Sequence, residues 1–158
     1  MAAAIAFDGI EIHNGTVHFT DDSTERQVNA VGMSLSTSVA NPGPGIFHAQ
    51  GKLAIDTVLL SFMQNIPPMN VALDYDASYN MNQGSLVLEK IDLGLNGVLF
   101  EITGKLSNFT QSLAADVRVK SDKVRAADLI KLLPPDKLSV LADFSVNGDF
   151  AFEASILY

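Results

Sequence analysis

The chain has 158 residues, a formal net charge of −8, 47% apolar and 18% charged residues, and no cysteine. That is one ordinary domain with enough apolar material for a core, which excludes wholesale disorder. Disulfides and thiolate metal sites are excluded, the compartment stays open, and no basic patch of the kind a nucleic-acid binder needs is visible. Net acidity also argues against docking on anionic headgroups by charge alone.

The opening "MAAAIAFDG" is apolar, but it is too short for a membrane span and lacks a basic n-region. The sequence reads as a soluble piece cut from a longer protein. Strand signals then dominate. Residues 5–13 and 16–20 predict a hairpin, because a tight turn at Asn14-Gly15 sets Ile12 against Val17 and Ile10 against Phe19. A strand over 27–39 would place Val31, Met33, Leu35, Thr37 and Val39 on one side. "NPGPG" (41–45) is a loop by composition, and 46–55 is a strand. "DTVLLSFMQN" (56–65) lacks alternation and follows Asp56, a residue suited to an N-cap. It predicts a short helix stopped by Pro67-Pro68.

Alternation returns with Val71, Leu73, Tyr75, Ala77 and Tyr79, followed by the turn "NMNQG" and strands near 85–95, 98–107 and 112–120. A turn at Asn96-Gly97 pairs Leu95 with Val98, Leu93 with Phe100 and Ile91 with Ile102, all apolar and on one face. Residues 121–133 predict a second short helix, with Val124, Leu129, Ile130, Leu132 and Leu133 on its stripe, ended by Pro134-Pro135. The last stretch, 138–157, alternates without a break through Phe144, Val146, Phe150 and Phe152. A turn at Asn147-Gly148 would put Val146 against Asp149 and spoil the phase. One strand of roughly 60 Å, or one with a bulge at Gly148, is the better reading.

A weak internal repeat runs through this layout. "GIFHAQGKL" (45–53) is similar to "GVLFEITGKL" (97–106), and each is followed by a helix signal, a Pro-Pro pair and an alternating strand. The units are about 27–79 and 85–158, within a single domain over 1–158.

Candidate chemistry is sparse. His13 and His18 fall on the polar side of the first hairpin, His13 across from Thr16 and His18 from Glu11. With His48 they make no ligand set, and all three read as surface residues. Asp21, Asp22 and Glu25 lack the glycine-punctuated loop of a calcium site, and Asp74 and Asp76 point to water. Asn108-Phe109-Thr110 fits a glycosylation sequon, a short pattern common by chance. There is no nucleophile elbow, phosphate loop or dinucleotide fingerprint. Lys90, Lys105 and Lys120 sit out of phase with the apolar positions and blunt the outer face or an edge. No catalytic residue, metal or cofactor is implied. What remains is the apolar face itself, either shut against itself as a closed core or left open as a trough.

"GIEIHNGTVHFTDDSTERQVNAVGMSLSTSV" resembles the opening pattern of AsmA-like modules: a hairpin, an acidic turn and a long alternating strand. "KIDLGLNGVLFEITGKLSNFTQSLAADVRVKSDKVRAADLIKLLP" resembles their other recurring block, a hairpin, a strand and a short helix ending in "LLP". Together the two stretches cover around half the chain. The resemblance implies a non-enzymatic module of a bacterial periplasmic protein, anchored in the inner membrane by an N-terminal helix of the full-length chain. Its hydrophobic groove would carry phospholipid between the membranes and serve outer-membrane biogenesis. Its partners would be acyl-chain ligands and flanking modules, not nucleic acid.

The expected fold is a long curved antiparallel sheet of nine or ten strands with two short helices, the alternative being a closed β-sandwich. The expected lipid-facing residues are Ile91, Leu93, Leu95, Val98, Phe100, Ile102, Phe144, Val146, Phe150 and Phe152. The alternative function is a closed interaction domain that assists outer-membrane protein assembly without binding lipid.

Overall fold

The computed structural model describes residues 7–24, 26–62, 67–109, 112–130, 133 and 148–158. Eight strands follow one another: β1 (Phe7–Asp21), β2 (Arg26–Gly43), β3 (Ile46–Leu60), β4 (Met69–Asn80), β5 (Ser85–Leu95), β6 (Val98–Ser107), β7 (Ala114–Arg125) and β8 (Asp149–Leu157). A five-residue helix, α1 (Ala126–Ile130), follows β7. The strands form one open antiparallel sheet in sequence order, β1 to β8. Each strand therefore pairs with its chain neighbour, the least demanding topology for a sheet to assemble.

The sheet is not closed, so the sandwich alternative is set aside. Among the described residues there are eight strands and one helix, in place of nine or ten strands and two helices. The hairpin at Asn96-Gly97 forms as expected, with Leu95 opposite Val98, Leu93 opposite Phe100 and Ile91 opposite Ile102. The hairpin at Asn14-Gly15 does not form. β1 runs straight through it and pairs with β2 from Ile10 opposite Thr37 to Asp21 opposite Arg26. His18 consequently lies opposite Asn29 and Glu11 opposite Ser36, not opposite each other. The "NPGPG" loop shrinks to a two-residue turn at Pro44-Gly45, because β2 continues to Gly43.

The helix expected over 56–65 is also corrected. Residues 56–60 are the end of β3, and 63–66 lie outside the described residues. The alternation fails there because of a bulge. Ile55 pairs with Val71 and Val58 with Met69, so β3 spends three steps where β4 spends two. The extra residue moves the apolar positions from odd to even numbers, and Leu53, Ile55, Val58 and Leu60 all stay on one face. β2 makes the matching shift at Val31-Gly32, where Gly32 adopts φ 71°. Val31, expected beside Met33, is displaced and 42% exposed. Its place on the apolar face goes to Ala30, 7% exposed.

Similar shifts occur in β1 between Ile12 and Gly15, in β5 between Leu88 and Ile91, and in β7 between Ser121 and Val124. The helix expected over 121–133 is found only at Ala126–Ile130: residues 121–125, with Val124 of the expected stripe, are the bulged end of β7, and 131–132 lie outside the described residues. Of the long strand expected over 138–157, residues 149–157 form β8, and 138–147, with Phe144 and Val146, lie outside the described residues.

Candidate functional site: one open apolar face

The register places apolar side chains in rows across the sheet. One row reads Ile12, Leu35, Leu53, Leu73, Leu93, Phe100 over six strands. The next reads Ile10, Thr37, Gly51, Tyr75, Ile91, Ile102, Val119, Ala154 and crosses all eight. Seven strand spacings of ~4.8 Å make that row about 34 Å long. A third row runs Met33, Ile55, Val71, Leu95, Val98.

Ile91, Leu93, Leu95, Phe100 and Ile102 thus stand together on the face and are half-buried, whereas Val98, also expected to face lipid, is only 3% exposed and is closed to a ligand. Phe150 and Phe152 stand on the β8 margin of the face, opposite Val124 and Ser121. The rings of Phe100 and Phe152 meet edge to face at 6.1 Å. Sequence reasoning missed β2, β3 and β4 as contributors of equal weight. Their alternation was visible, but the rows appear only once register is known.

Little of this surface is buried. Among the described apolar residues, only Ala30, Val98 and Val124 are buried, the last at 1% exposure. The interior rows are half-buried by their in-plane neighbours, whereas Phe19 and Ile156 at the two margins are more than half exposed. α1 packs against β7. Among the described residues no second layer of strands or helices lies over the face. An uncovered apolar surface this wide is unusual on a protein that works alone in water.

The hydroxyls standing in these rows are turned inward. Tyr75 reaches across Gly51 and donates to Thr37, whose own hydroxyl donates to the Gln50 carbonyl at 3.3 Å. Gly51 is needed there: a Cβ would lie 2.4 Å from the Ser36 carbonyl oxygen and 2.9 Å from the Tyr75 hydroxyl. Ser121, 2% exposed, donates to the Leu99 carbonyl at 2.5 Å. No buried side-chain nitrogen or oxygen among the described residues lacks a hydrogen-bond partner.

The opposite face is polar and carries the charges as neighbouring pairs. Lys52 lies 3.3 Å from Asp74, Lys90 2.8 Å from Asp92, and Arg118 3.1 Å from Glu153. Lys120 lies 2.7 Å from Asp122, and His48 2.5 Å from Asp76. Lys123 lies 3.4 Å from Asp149, and Arg125 2.6 Å from Asp128. The hydrogen bond that the Lys90 ammonium donates to Asp92 holds its pKa above the ordinary value, and the one Lys120 donates to Asp122 does the same. Lys90, Lys105 and Lys120 are on the polar face as expected, and Lys105 lies opposite Asp116.

His13 and His18 are exposed and His48 is half-buried, and no group of three potential metal ligands occurs among the described residues. A hollow of about 420 Å³ over the middle of β1 to β5 is lined by Glu11, Gln50, Lys52, Asp74 and Lys90 among others. Its charges are exposed, Lys52 paired with Asp74, Lys90 with Asp92 and Glu11 with His13. It lacks the desolvated, convergent polar groups from which a catalytic constellation is built. No helix among the described residues is long and apolar enough to cross a membrane. Comparison with protein-family models, with curated proteins and with solved structures gave no match for this chain.

Proposed function

We propose that this chain is a non-enzymatic lipid-handling module whose apolar sheet face shelters acyl chains. One observation carries the reading: three largely apolar rows cross five, six and all eight strands, and the hydroxyls on that face, Thr37, Tyr75 and Ser121, are already committed within the sheet. A protein partner would meet a surface with almost no polar anchor, although protein interfaces carry about one hydrogen bond per 100–200 Å². Hydrocarbon needs none. Each methylene removed from water gains ~0.8 kcal/mol, so a tail of about 16 carbons gains roughly 12 kcal/mol before the entropy of holding it is subtracted. The ~34 Å breadth of the face exceeds the ~30 Å hydrocarbon core of a bilayer, so an extended tail fits within it.

The resemblance to AsmA-like modules fits this reading and extends it. The sheet would curve around its cargo as one segment of a longer groove, with flanking modules continuing it at either edge. The parent protein would be held in the inner membrane and pass phospholipid across the periplasm towards outer-membrane biogenesis.

The test is native mass spectrometry of the chain purified from cells. Wild type should carry co-purified phospholipid, and Phe100→Asp and Leu93→Asp, in mid-face, should lose it. Leu99→Asp, at a 65% exposed position outside the rows, should keep it. Wild type free of lipid, or a folded Phe100→Asp with undiminished lipid, refutes the reading.

A further inference from the structure

We propose that one end of the sheet docks on a lipid bilayer, with the β2–β3, β4–β5 and β6–β7 turns dipping into its interface. In an antiparallel sheet taken in chain order these three turns share one end, and the other links share the opposite end. The inference goes beyond the lipid reading above and stands or falls separately from it.

The two ends differ in charge. Residues 40–47, 77–88 and 106–115, which contain the three turns, hold no Asp, Glu, Lys, Arg or His. Met81, 58% exposed, and Phe109, 44% exposed, stand at the tips, and Leu113 is exposed in the same connection as Phe109. The rings of Tyr79 and Phe109 meet edge to face at 6.2 Å, which ties the β4–β5 turn to the β6–β7 connection. The apolar face runs out to them through a further row, Phe47, Tyr79, Leu86, Leu106 and Ala115. The opposite end also exposes Phe19 and Phe62, but beside Asp21, Asp22, Arg125 and Asp149, and with Arg26 stacked over the Phe62 ring at 5.4 Å. Charged side chains are costly to bring into lipid, whereas apolar ones enter it and tyrosine settles at its border.

The β4–β5 turn also brings its own hydrogen-bond partners. The Met81 amide donates to the Gly45 carbonyl at 2.8 Å and the Gly84 amide to the Met81 carbonyl at 3.4 Å. The Asn82 and Gln83 amides donate to Asn80 Oδ1 at 3.0 and 3.1 Å. The Asn82 side chain donates to the Pro44 carbonyl at 3.0 Å and so fastens this turn to the β2–β3 turn. A tip entering lipid must satisfy its amides from within, because acyl chains supply no partner. A protein partner makes no such demand, which favours a bilayer as the occupant.

The experiment mixes the purified chain with vesicles of pure phosphatidylcholine and reads the fraction that floats with them. The chain has no tryptophan, so Met81→Trp at this end and Phe19→Trp at the other each give a single fluorescent reporter. Wild type should float, Met81→Trp emission should move to the blue on mixing, and Phe19→Trp emission should not. The double variant Met81→Asp with Phe109→Asp should lower the floated fraction about tenfold, and Phe19→Asp should leave it unchanged. Salt at about 0.5 M should not release the chain, because no ion pair holds it. If circular dichroism shows the double variant unfolded, the two tryptophan reporters decide. A wild type that stays off the vesicles, an equal loss in Phe19→Asp, or equal shifts of both reporters overturns docking by this end, whatever lipid the chain retains. Flotation by a chain free of co-purified lipid supports docking and refutes the lipid reading alone.

Discussion

Asn14-Gly15 and Asn96-Gly97 are the same dipeptide between alternating apolar residues, yet one lies inside a strand and the other makes a turn. At Asn96-Gly97 both residues take positive φ, 48° and 86°, as a two-residue hairpin turn of matching twist requires. At Asn14-Gly15 only Asn14 does, at φ 52°. One left-handed residue makes a bulge, and the chain goes on.

The difference lies in the neighbours. β2 is 18 residues long and needs a partner along its length, which a β1 folded back at Gly15 could not supply. The chain turns instead at 22–24, where Asp21 accepts from the Ser23 amide at 3.0 Å, the Ser23 hydroxyl at 2.6 Å and the Thr24 hydroxyl at 2.7 Å. A turn dipeptide is thus permission to reverse direction, and the competing strand decides whether it is used.

The sharpest break in this comparison is the double substitution Asn96→Val with Gly97→Val. It puts two β-branched residues at positive φ and removes the 2.6 Å hydrogen bond that the Asn70 amide donates to Asn96 Oδ1. Urea unfolding should show a loss of about 3 kcal/mol. Gly51→Ala tests a glycine kept for space: its new Cβ meets the Ser36 carbonyl oxygen at 2.4 Å, and the expected loss is about 2 kcal/mol.

The matching double change at the bulge, Asn14→Val with Gly15→Val, should cost only about 1 kcal/mol. One positive φ is involved, and a Cβ on Gly15 would press on the Ile12 Cγ2 methyl at 3.0 Å and on the flexible Met33 Cε at 3.3 Å, and on no backbone atom closer than 3.5 Å. If the two doubles cost the same, the distinction between turn and bulge is lost.

The smallest effect concerns the turn the chain does use. Hydrogen bonds from Ser23 and Thr24 hold the Asp21 carboxyl below its ordinary value of 3.8. A carboxyl depressed on folding contributes stability above its unfolded pKa and loses it as pH falls through the folded one. The stability gap between wild type and Asp21→Asn should therefore be full at neutral pH and narrow as pH drops below about 4. A gap independent of pH would show that the carboxylate does not fasten this turn.

Much of the sheet is legible in the sequence where alternation is unbroken. The β5–β6 hairpin is placed residue for residue, because Leu95, Leu93 and Ile91 find apolar partners in the same phase. The polar side of the lysines follows from the same periodicity. Reading fails at the bulges. Asp56-Thr57 looks helical and Val31 looks inward-facing, because one inserted residue reverses the parity and a period-two rule has no term for it.

Alternation, turn residues and acidity alone dictate strands, one apolar side and a charged reverse. They hold locally because side chains in a pleated chain point to opposite faces every second residue. Only tertiary structure decides that the apolar sides of eight strands join into one sheet left open, and that Asn14-Gly15 continues where Asn96-Gly97 turns. Those outcomes depend on register between strands. Register is set by which neighbour supplies hydrogen bonds and apolar partners along its whole length, a relation no single stretch of sequence contains.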